Sequence, residues 1–471
     1  MPFFFNLLSS LKHISVKFFR KTVCVVRRIV GGIRFGCHFL CSKWIFLLLF
    51  SLLTSLLTCA VGYCLENQQS NLKEATWVFH FLDRLFKEKP VSQTDTAFFI
   101  NVSFDRQLVP VDPKKPWQGS YVITDRQKLL RFLHRIERDS VEYKYILMDI
   151  RFEKGYETEY DDSLYAQIHR MPRIVIASHH KSDSGEEYEI ADTILSDKCG
   201  MSDYTQYSIV TNFSRYTFLQ DGKPSIALKM YDELRHKTTS VKQWRNWPVY
   251  YTDGHLCINS PMLYMSGKVL DFESYMLLQE DAEMERLHDG LETGMEAEAA
   301  KLDSEQNNYY FYHNLGADFL NPYNNDWRSD LKNRVVVIAN FEDDIHDTYV
   351  GKVSGAYITW MAYQYLCDGR HVLGWKFPLL SFLCYTSIFL LLFYVNKVSQ
   401  KKDYVNKPVC QSWFSALRWL GSIGLLYLLT LLLYNFMKIR FNMTVPVLAI
   451  AVINFIIQSA GKYENNNTIT Q

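Results

Sequence analysis

The apolar segments 97–102, 145–148, 174–177 and 335–339 are each followed by charged or imidazole side chains. The candidate ligand-binding residues at these ends are Asp105, Asp149, Arg151, His179, Asp343, His346 and Asp347. Carboxylates accompanied by imidazoles suit either a hard cation or a polar solute. The alternative role is structural, because an Asp that follows a strand commonly caps the next helix or closes a turn.

None of the short sequences that would assign a reaction is present. No GxSxG, Walker loop, HExxH or GxGxxG sequence occurs at a strand–helix junction. We therefore expect no enzymatic activity, no cofactor and no resident metal. A site at these positions is expected to bind a ligand rather than to transform it.

The candidate residues would lie close together if the strands they follow formed one parallel sheet. The strand-like segments alternate with helical ones, and Asp125 can cap a helix that contains residues 129–136. Asp161 or Asp162 can cap a second helix that runs to residue 168. Nearly continuous apolar strands are typical of a parallel sheet covered on both faces, so we expect an α/β fold. In such folds ligands gather at the carboxyl ends of the strands.

The segments between and beyond these strands are less regular. The predicted helices are 72–86, a helix from Pro224 to Arg235, and 356–366. The predicted short strands are 207–210, 214–219 and a pair within 250–260 around Asp253-Gly254. Residues 271–306 form a predicted acidic helical insertion. Three roles are open for it: a solvated surface excursion, a partner-facing arm, or a segment that collects divalent cations.

The chain has ten cysteines, of which four (Cys64, Cys199, Cys257 and Cys367) lie in its central part. Four cysteines allow three full pairings, and an oxidising compartment would permit them. Cys199 and Cys257 are the disulfide candidates.

Four long apolar runs carry no formal charge: 44–63, 377–395, 419–437 and 443–461. Each is long enough to cross a bilayer core of about 30 Å as a helix. They leave a large domain at 64–375, with one predicted span before it and three after it. The predicted organisation is thus a globular domain tethered to a membrane at both ends.

The distribution of positive charge predicts the orientation. The leader 1–43 contains eight Lys or Arg residues and no acid, and the loop 396–418 contains five against Asp403 alone. Positive flanks stay in the cytoplasm. The domain is therefore predicted to be extracytoplasmic, although two cations in the turn 438–442 lie on the other side. The tail 462–471 is then cytoplasmic and too short to fold.

Several segments in the same order resemble the bacterial CHASE domains of the second type, which are extracellular sensory domains associated with cyclases and histidine kinases. The resemblance covers about residues 65–372 and rests on these sequences: Phe99-Ile100-Asn101, Leu147-Met148-Asp149-Ile150-Arg151-Phe152, Arg173-Ile174-Val175-Ile176-Ala177, Lys223-Pro224-Ser225 and Arg334-Val335-Val336-Val337-Ile338-Ala339. The arrangement of one span before the domain and three after it is similar. Ser354-Gly355 and Thr359-Trp360 stand where the family commonly has Pro-Gly and His, so the chain departs from the family pattern at this turn.

The resemblance implies a sensor of the bacterial inner membrane with a periplasmic ligand-binding domain and a role in signal transduction. Family members usually continue into an output module, so we expect a separate cytoplasmic signalling partner here. The candidate partner-binding residues are Lys397, Lys401, Lys402 and Lys407 in the basic loop. The other expected associations are the lipid bilayer and a homodimer, without nucleic acid. The alternative function is an envelope structural or assembly protein that binds periplasmic partners.

Overall fold

The computed structural model describes residues 48–49, 51–56, 59–60, 63, 95–112, 114–152, 155–178, 194–202, 215–220, 222–244, 247–261, 263, 268–271, 309–320, 327–348 and 351–401. These residues divide into two compact units. One contains the described residues of 61–377, and the other contains those of 48–60 and 378–401. The first unit holds the sheet and the candidate site.

The strands in chain order are β1 (Ala97–Asn101), β2 (Arg106–Pro110), β3 (Ser120–Thr124), β4 (Tyr145–Asp149), β5 (Ile174–Ser178), β6 (Cys199–Met201), β7 (Leu219–Gln220), β8 (Lys223–Pro224), β9 (Thr239–Trp244), β10 (Trp247–Thr252), β11 (His255–Cys257), β12 (Lys268–Asp271), β13 (Tyr309–Asn314), β14 (Val335–Ala339), β15 (Ile345–Thr348) and β16 (Gly351–Ser354). The α-helices are α1 (Arg126–Arg138), α2 (Asp161–Arg170), α3 (Ile226–Arg235), α4 (Trp327–Leu331), α5 (Gly355–Cys367) and α6 (Lys376–Lys401). A π-helical turn occupies Leu315–Phe319.

Seven strands of the described chain form one sheet in the order β12-β13-β1-β14-β4-β5-β6. Every neighbouring pair in it is parallel. The α/β class and the parallel sheet expected from the sequence are therefore confirmed. The sequence had not indicated β6, β12 or β13. These strands are short or partly polar, so their pattern differs from the apolar runs of β4, β5 and β14.

Helices cover both faces of the sheet. On one face α1, α2 and α4 pack against a set of alternate strand residues: Phe98, Ile100, Ile146, Met148, Ile174, Ile176, Val336 and Ile338. On the other face α3 and α5 pack against the residues that point the opposite way: Phe99, Tyr145, Leu147, Val175, Ala177, Val335, Val337 and Ala339. Because successive strand residues face opposite sides, one apolar run supplies both cores.

The strand register aligns the carboxyl ends of the central strands. Ala339 at the end of β14 lies opposite Asn101 of β1 on one side and Asp149 of β4 on the other. Asn101 in turn lies opposite Asn314 of β13. Four strands therefore end in one row, and the segments that leave them begin at the same edge.

Small antiparallel sheets surround this core. The strands β2 and β3 form an isolated hairpin between β1 and α1, and β15 pairs with β16 between β14 and α5. The predicted pair around Asp253-Gly254 is confirmed as β10 and β11, where both turn residues have positive φ (49° and 78°), as a two-residue hairpin turn requires. The sequence had not indicated the third strand of that sheet, β9.

Two local expectations were wrong. Asp161 does not cap α2, because Tyr160 occupies the cap position without a side-chain bond. The Asp161 carboxylate instead lies buried beside Arg126, 3.8 Å away. Of the described residues 215–219 in the predicted strand 214–219, only Leu219 is in a strand. The backbone of Leu219 is bound at 2.7 Å by the side chain of Asn259, which donates to its oxygen and accepts from its nitrogen.

Several predictions fall largely on residues outside the described set. These are the helix 72–86, the strand 207–210, most of the acidic insertion 271–306, and the apolar runs 419–437 and 443–461. The run 377–395 lies within α6, and the run 44–63 is helical at its described positions. Among the described residues, no helix combines the length and the apolar composition needed to cross a membrane.

Candidate functional site

A cleft of about 480 Å³ opens at the carboxyl ends of β4 and β14. Its lining residues are Tyr121, Val122, Ile123, Thr124, Arg126, Asp149, Ile150, Arg151, Tyr156, Asn340, Asp343 and Asp344. The chain leaves β4 towards α2 on one face of the sheet and leaves β14 towards α5 on the other. Ligands of open parallel sheets bind at such a switch point. The volume is in the range of small-molecule sites.

Buried hydrogen bonds of Asn101 hold the edge of the sheet beside the cleft. Its side-chain oxygen accepts from the Ser103 backbone N–H at 3.0 Å and from the Phe341 N–H at 3.2 Å. Its amide donates to Asn314 at 3.2 Å. The segments that leave β1, β13 and β14 are thereby tied to one side chain. Asn340, which lines the cleft, is fixed in part by this network, because Ser103 Oγ also donates to its oxygen.

Arg126 is the buried cation of the cleft. It is the first residue of α1, which Asp125 caps by accepting the Lys128 N–H at 3.0 Å. Arg126 donates from Nη2 to the Arg151 carbonyl at 2.7 Å, and its guanidinium lies 4.1 Å from the centroid of the Phe152 ring. Together with its ion pair to Asp161, these contacts fix the segment that follows β4.

Asp149 and Arg151, both predicted from the sequence, line the cleft. Asp149 is half-buried at the end of β4, where Ser202 Oγ donates to it at 3.3 Å. Arg151 is exposed. The cleft is therefore lined by an acidic and a basic residue that belong to one short segment.

Asp343 also lines the cleft, where its charge is already compensated. The Asn340 amide donates to its carboxylate at 3.0 Å, and Arg106 of β2 forms an ion pair with it. These two contacts hold the pKa of Asp343 below its usual value. A carboxylate oxygen of its neighbour Asp344 lies 3.1 Å from Nε2 of His346.

Other predicted residues lie elsewhere. Asp105 is buried in a structural role: it pairs with Lys128 at 2.6 Å and accepts the Gly316 N–H at 3.0 Å. His346 and Asp347 lie in β15, where Asp347 is opposite Lys352. None of the three is among the residues that line the cleft. His179 lies outside the described residues.

The hairpin wall of the cleft could not be anticipated from the polar residues after the strands. Tyr121 in β3 and Tyr156 before α2 meet edge to face, with ring centroids 4.3 Å apart. The sequence signal was the aromatic and β-branched run Tyr121-Val122-Ile123-Thr124, which precedes the Asp125 cap and is typical of a strand. The sequence did not indicate that Arg126 is buried in the cleft, because a cation in the first turn of a helix usually faces solvent.

The remaining predicted sites are only partly covered. Cys199 lies in β6 and Cys257 in β11, and no disulfide joins the two in the structure. Lys397 and Lys401 lie in α6, whereas Lys402 and Lys407 lie outside the described residues. In the described part of the chain, no group of three or more His, Cys, Asp or Glu side chains is placed to hold a metal ion.

In comparisons with known proteins, no family model, no curated protein and no solved structure matches this chain. The geometry of the cleft is therefore the main evidence on function.

Proposed function

We propose that the chain is a multi-pass membrane receptor whose α/β domain lies outside the cytoplasm and binds a small polar ligand in the cleft between β4 and β14. The observation that carries the proposal is the coincidence of this cleft with the switch point of the sheet. The membrane location is supported by the four uncharged runs and the basic flanks of the sequence.

In this proposal the domain resembles a CHASE-type sensor and signals through a separate cytoplasmic partner. The connection from the site to the runs that follow is short along the chain. The hairpin β15–β16 leads from the cleft residue Asp344 into α5, and only the residues 368–375 separate α5 from α6. Ligand binding at Asn340, Asp343 or Asp344 would act on the segment that begins this connection.

The proposal is tested by ligand-induced stabilisation of the purified full-length protein. A panel of sugars, organic acids, amines and amino acids should contain compounds that raise the unfolding temperature, because a ligand of the folded state stabilises it. Asn340→Ala should reduce that shift, because Asn340 lines the cleft and orders Asp343. Lys332→Gln should leave the shift unchanged, because Lys332 forms an exposed ion pair with Glu142 before the amino end of β14, whereas the cleft lies at its carboxyl end. A panel without any stabilising compound, or a shift that Asn340→Ala does not reduce, would contradict the proposal.

The alternative role, an envelope protein that binds periplasmic partners, is favoured by one observation. Leu108 and Val122 lie directly opposite each other on the β2–β3 hairpin and are 68% and 54% exposed. Trp117, in the connection between these strands, is 78% exposed. Clustered exposed apolar side chains of this kind mark interaction surfaces. Leu108→Ser with Trp117→Ser should release a co-purifying envelope partner, and a partner retained by this variant would argue against the role.

A further inference from the structure

The segment 371–373, which connects α5 to α6, lies in extended form at the edge of the β9–β11 sheet. Val372 is opposite Cys257 of β11 in an antiparallel bridge. Two backbone hydrogen bonds of 2.8 Å flank this bridge, from the Ile258 N–H to His371 and from the Leu373 N–H to Leu256. We call the segment 371–373 the strap. Because α6 begins at Lys376, the strap fixes the chain three residues before that helix.

The strand that binds the strap also binds the residue that ends the first apolar run. The hydroxyl of Tyr63 accepts the Tyr250 N–H at 2.9 Å and donates to the Cys257 carbonyl at 3.1 Å. Tyr250 and Cys257 are paired residues of β10 and β11. The chain segments that adjoin the predicted spans 44–63 and 377–395 are therefore both attached at β11. Release of the strap would leave only one of these two attachments.

The side chain of the strap that faces the domain is His371. Its imidazole is 1% exposed and lies against the rings of Phe218 and Tyr231, with centroids 6.3 and 5.6 Å away. Neither ring nitrogen has a hydrogen-bond partner among the described residues. A buried charge without a partner is strongly unfavourable, so this position accepts only the neutral imidazole.

The titratable groups around the strap do not stabilise a charged imidazole. They are Tyr216 beside Phe218, Tyr231, Asp232 and Arg235 of α3, His255 and Cys257 of β11, Tyr365 and Cys367 of α5, and the Asp368–Arg370 ion pair at 3.1 Å. Burial raises the pKa of Tyr231 to about 12 and that of Cys257 to about 11, so both stay neutral. Burial alone lowers the pKa of His371 from 6.5 to about 4.

We propose that the strap is pH-sensitive: it lies on β11 while His371 is neutral, and protonation of His371 releases it together with the chain that leads into α6. The inference goes beyond the proposed ligand binding and does not depend on it, because His371 is not among the residues that line the cleft.

The difference in proton affinity gives the direction and the size of the effect. The released imidazole binds a proton more readily than the buried one, so the bound strap is favoured above pH 6.5 and is progressively lost as the pH falls towards 4. Between pH 7.5 and pH 5, protonation of His371 should raise the ratio of released to bound strap about 30-fold.

The test is hydrogen–deuterium exchange of the full-length protein in nanodiscs at pH 7.5 and pH 5, corrected for the intrinsic exchange rates. Protection of the Ile258 and Leu373 amides should fall about 30-fold more in the unmodified protein than in His371→Phe, which keeps an aromatic ring but cannot titrate. The matched control His255→Phe removes an exposed imidazole of the same sheet and should behave as the unmodified protein. Asp232, whose pKa burial raises to about 6, is present in all three proteins, so its effect cancels.

A disulfide tests the strap without altering His371. Cys257 and Val372 are a non-hydrogen-bonded antiparallel pair, in which the Cα atoms are typically about 4.5 Å apart and within reach of a disulfide. In Val372→Cys, oxidation at pH 7.5 should link the introduced thiol to Cys257 and keep both amides protected at pH 5. Reduction should restore the fall in protection.

Four results would overturn the proposal. The first two are an equal fall in the unmodified protein and in His371→Phe, and an equal fall in the amides of β4 and β14, which would show general unfolding. The others are loss of protection in oxidised Val372→Cys, and failure of that disulfide to form in the folded protein. Since no ligand takes part, none of these results bears on the ligand panel that tests the cleft.

Discussion

The carboxylate of Asp95 is almost fully buried and meets two cations and a phenol. Lys144 and Arg235 form ion pairs with it, the latter at 2.6 Å, and the Tyr363 hydroxyl donates to it. Its backbone oxygen also accepts from Gln364 at 3.1 Å. The residues come from the start of the sheet, from α3 and from α5, so one side chain joins both helices of one face to the strands.

Asp95→Asn should therefore be strongly destabilising. Removing one charge leaves two partly buried cations without their partner, and breaking a buried pair typically costs about 3–5 kcal/mol. We expect a loss of about 3 kcal/mol in the free energy of unfolding, measured by denaturant titration with the buried Trp327 and Trp360 as fluorescent reporters. The matched control Glu142→Gln should change it by less than about 0.5 kcal/mol, since that pair is exposed. Equal effects of the two variants would contradict this role of Asp95.

His371 predicts a pH dependence of stability. The side chain is 1% exposed, lies against the rings of Phe218 and Tyr231, and neither ring nitrogen has a hydrogen-bond partner among the described residues. Burial lowers its pKa from 6.5 to about 4. Between these values the unfolded chain binds more protons than the folded one, so stability is full above pH 6.5 and falls as the pH drops towards 4.

The variant His371→Phe isolates this effect. In the unmodified protein, His371 should lower the free energy of unfolding by at most about 3 kcal/mol between pH 6.5 and pH 4. The His371→Phe variant should not show this decrease. A comparison with the unmodified protein is needed because Asp232 acts in the opposite direction: burial raises its pKa to about 6, which favours the folded state as the pH falls. The measurement is the free energy of unfolding of both proteins across this range. Parallel curves for the two would show that His371 does not titrate as described.

At the scale of the elements, the caps of α1 and α3 follow directly from sequence. Asp125 accepts the Lys128 N–H at 3.0 Å and Ser225 accepts the Leu228 N–H at 3.2 Å. Asp125→Ala and Ser225→Ala should each cost about 1 kcal/mol of unfolding free energy. Asp162→Ala, an exposed first-turn acid of α2 without a capping role, should cost only about 0.3–1 kcal/mol through the helix dipole. The same denaturant titration ranks the three, and a larger loss for Asp162→Ala would contradict the assignment of the caps.

The sequence predicted elements well where burial is complete and poorly where it is partial. The strands β4, β5 and β14 are nearly continuous apolar runs, so both their position and their parallel pairing were expected. The exposed hairpin β2–β3 and the three-residue β6 have no such pattern, because their position depends on pairing rather than on burial.

The same reason explains which site residues were found. Asp149, Arg151 and Asp343 follow apolar strands and were indicated by that position alone. Asp105 has the same sequence context, yet it turns inward to Lys128 and to Gly316. That choice depends on Gly316, which lies 211 residues away along the chain and whose missing Cβ would fall 2.4 Å from the Asp105 carboxylate. Local sequence cannot report such a contact.

For the whole molecule, the charge pattern predicts four spans with both termini in the cytoplasm. Reporter fusions after residues 43, 405 and 471 should be active in the cytoplasm, and a fusion after residue 200 should be active outside it. The physical reason is the cationic leader 1–43 and the cationic loop 396–418. A carboxyl terminus that reports from outside would contradict this topology.

The basic loop is also the proposed contact with a cytoplasmic partner. Lys397, Lys401, Lys402 and Lys407 place four cations within eleven residues, enough to attract an acidic protein surface. Replacing all four by Gln should reduce crosslinking of a cytoplasmic partner several-fold. Membrane insertion should persist, because Arg418 and the leader keep their charge.

The matched control replaces four cations of the leader instead, Lys12, Lys17, Arg20 and Lys21. The measurement is photocrosslinking in cells, with topology followed by the fusion after residue 200. If the loop variant is inserted normally and still captures the same partners as the unmodified protein, the loop acts only in orientation, and the partner must bind elsewhere. If the leader variant loses the partner while the loop variant keeps it, the recognition surface lies in 1–43, because nonspecific attraction would respond to both changes equally.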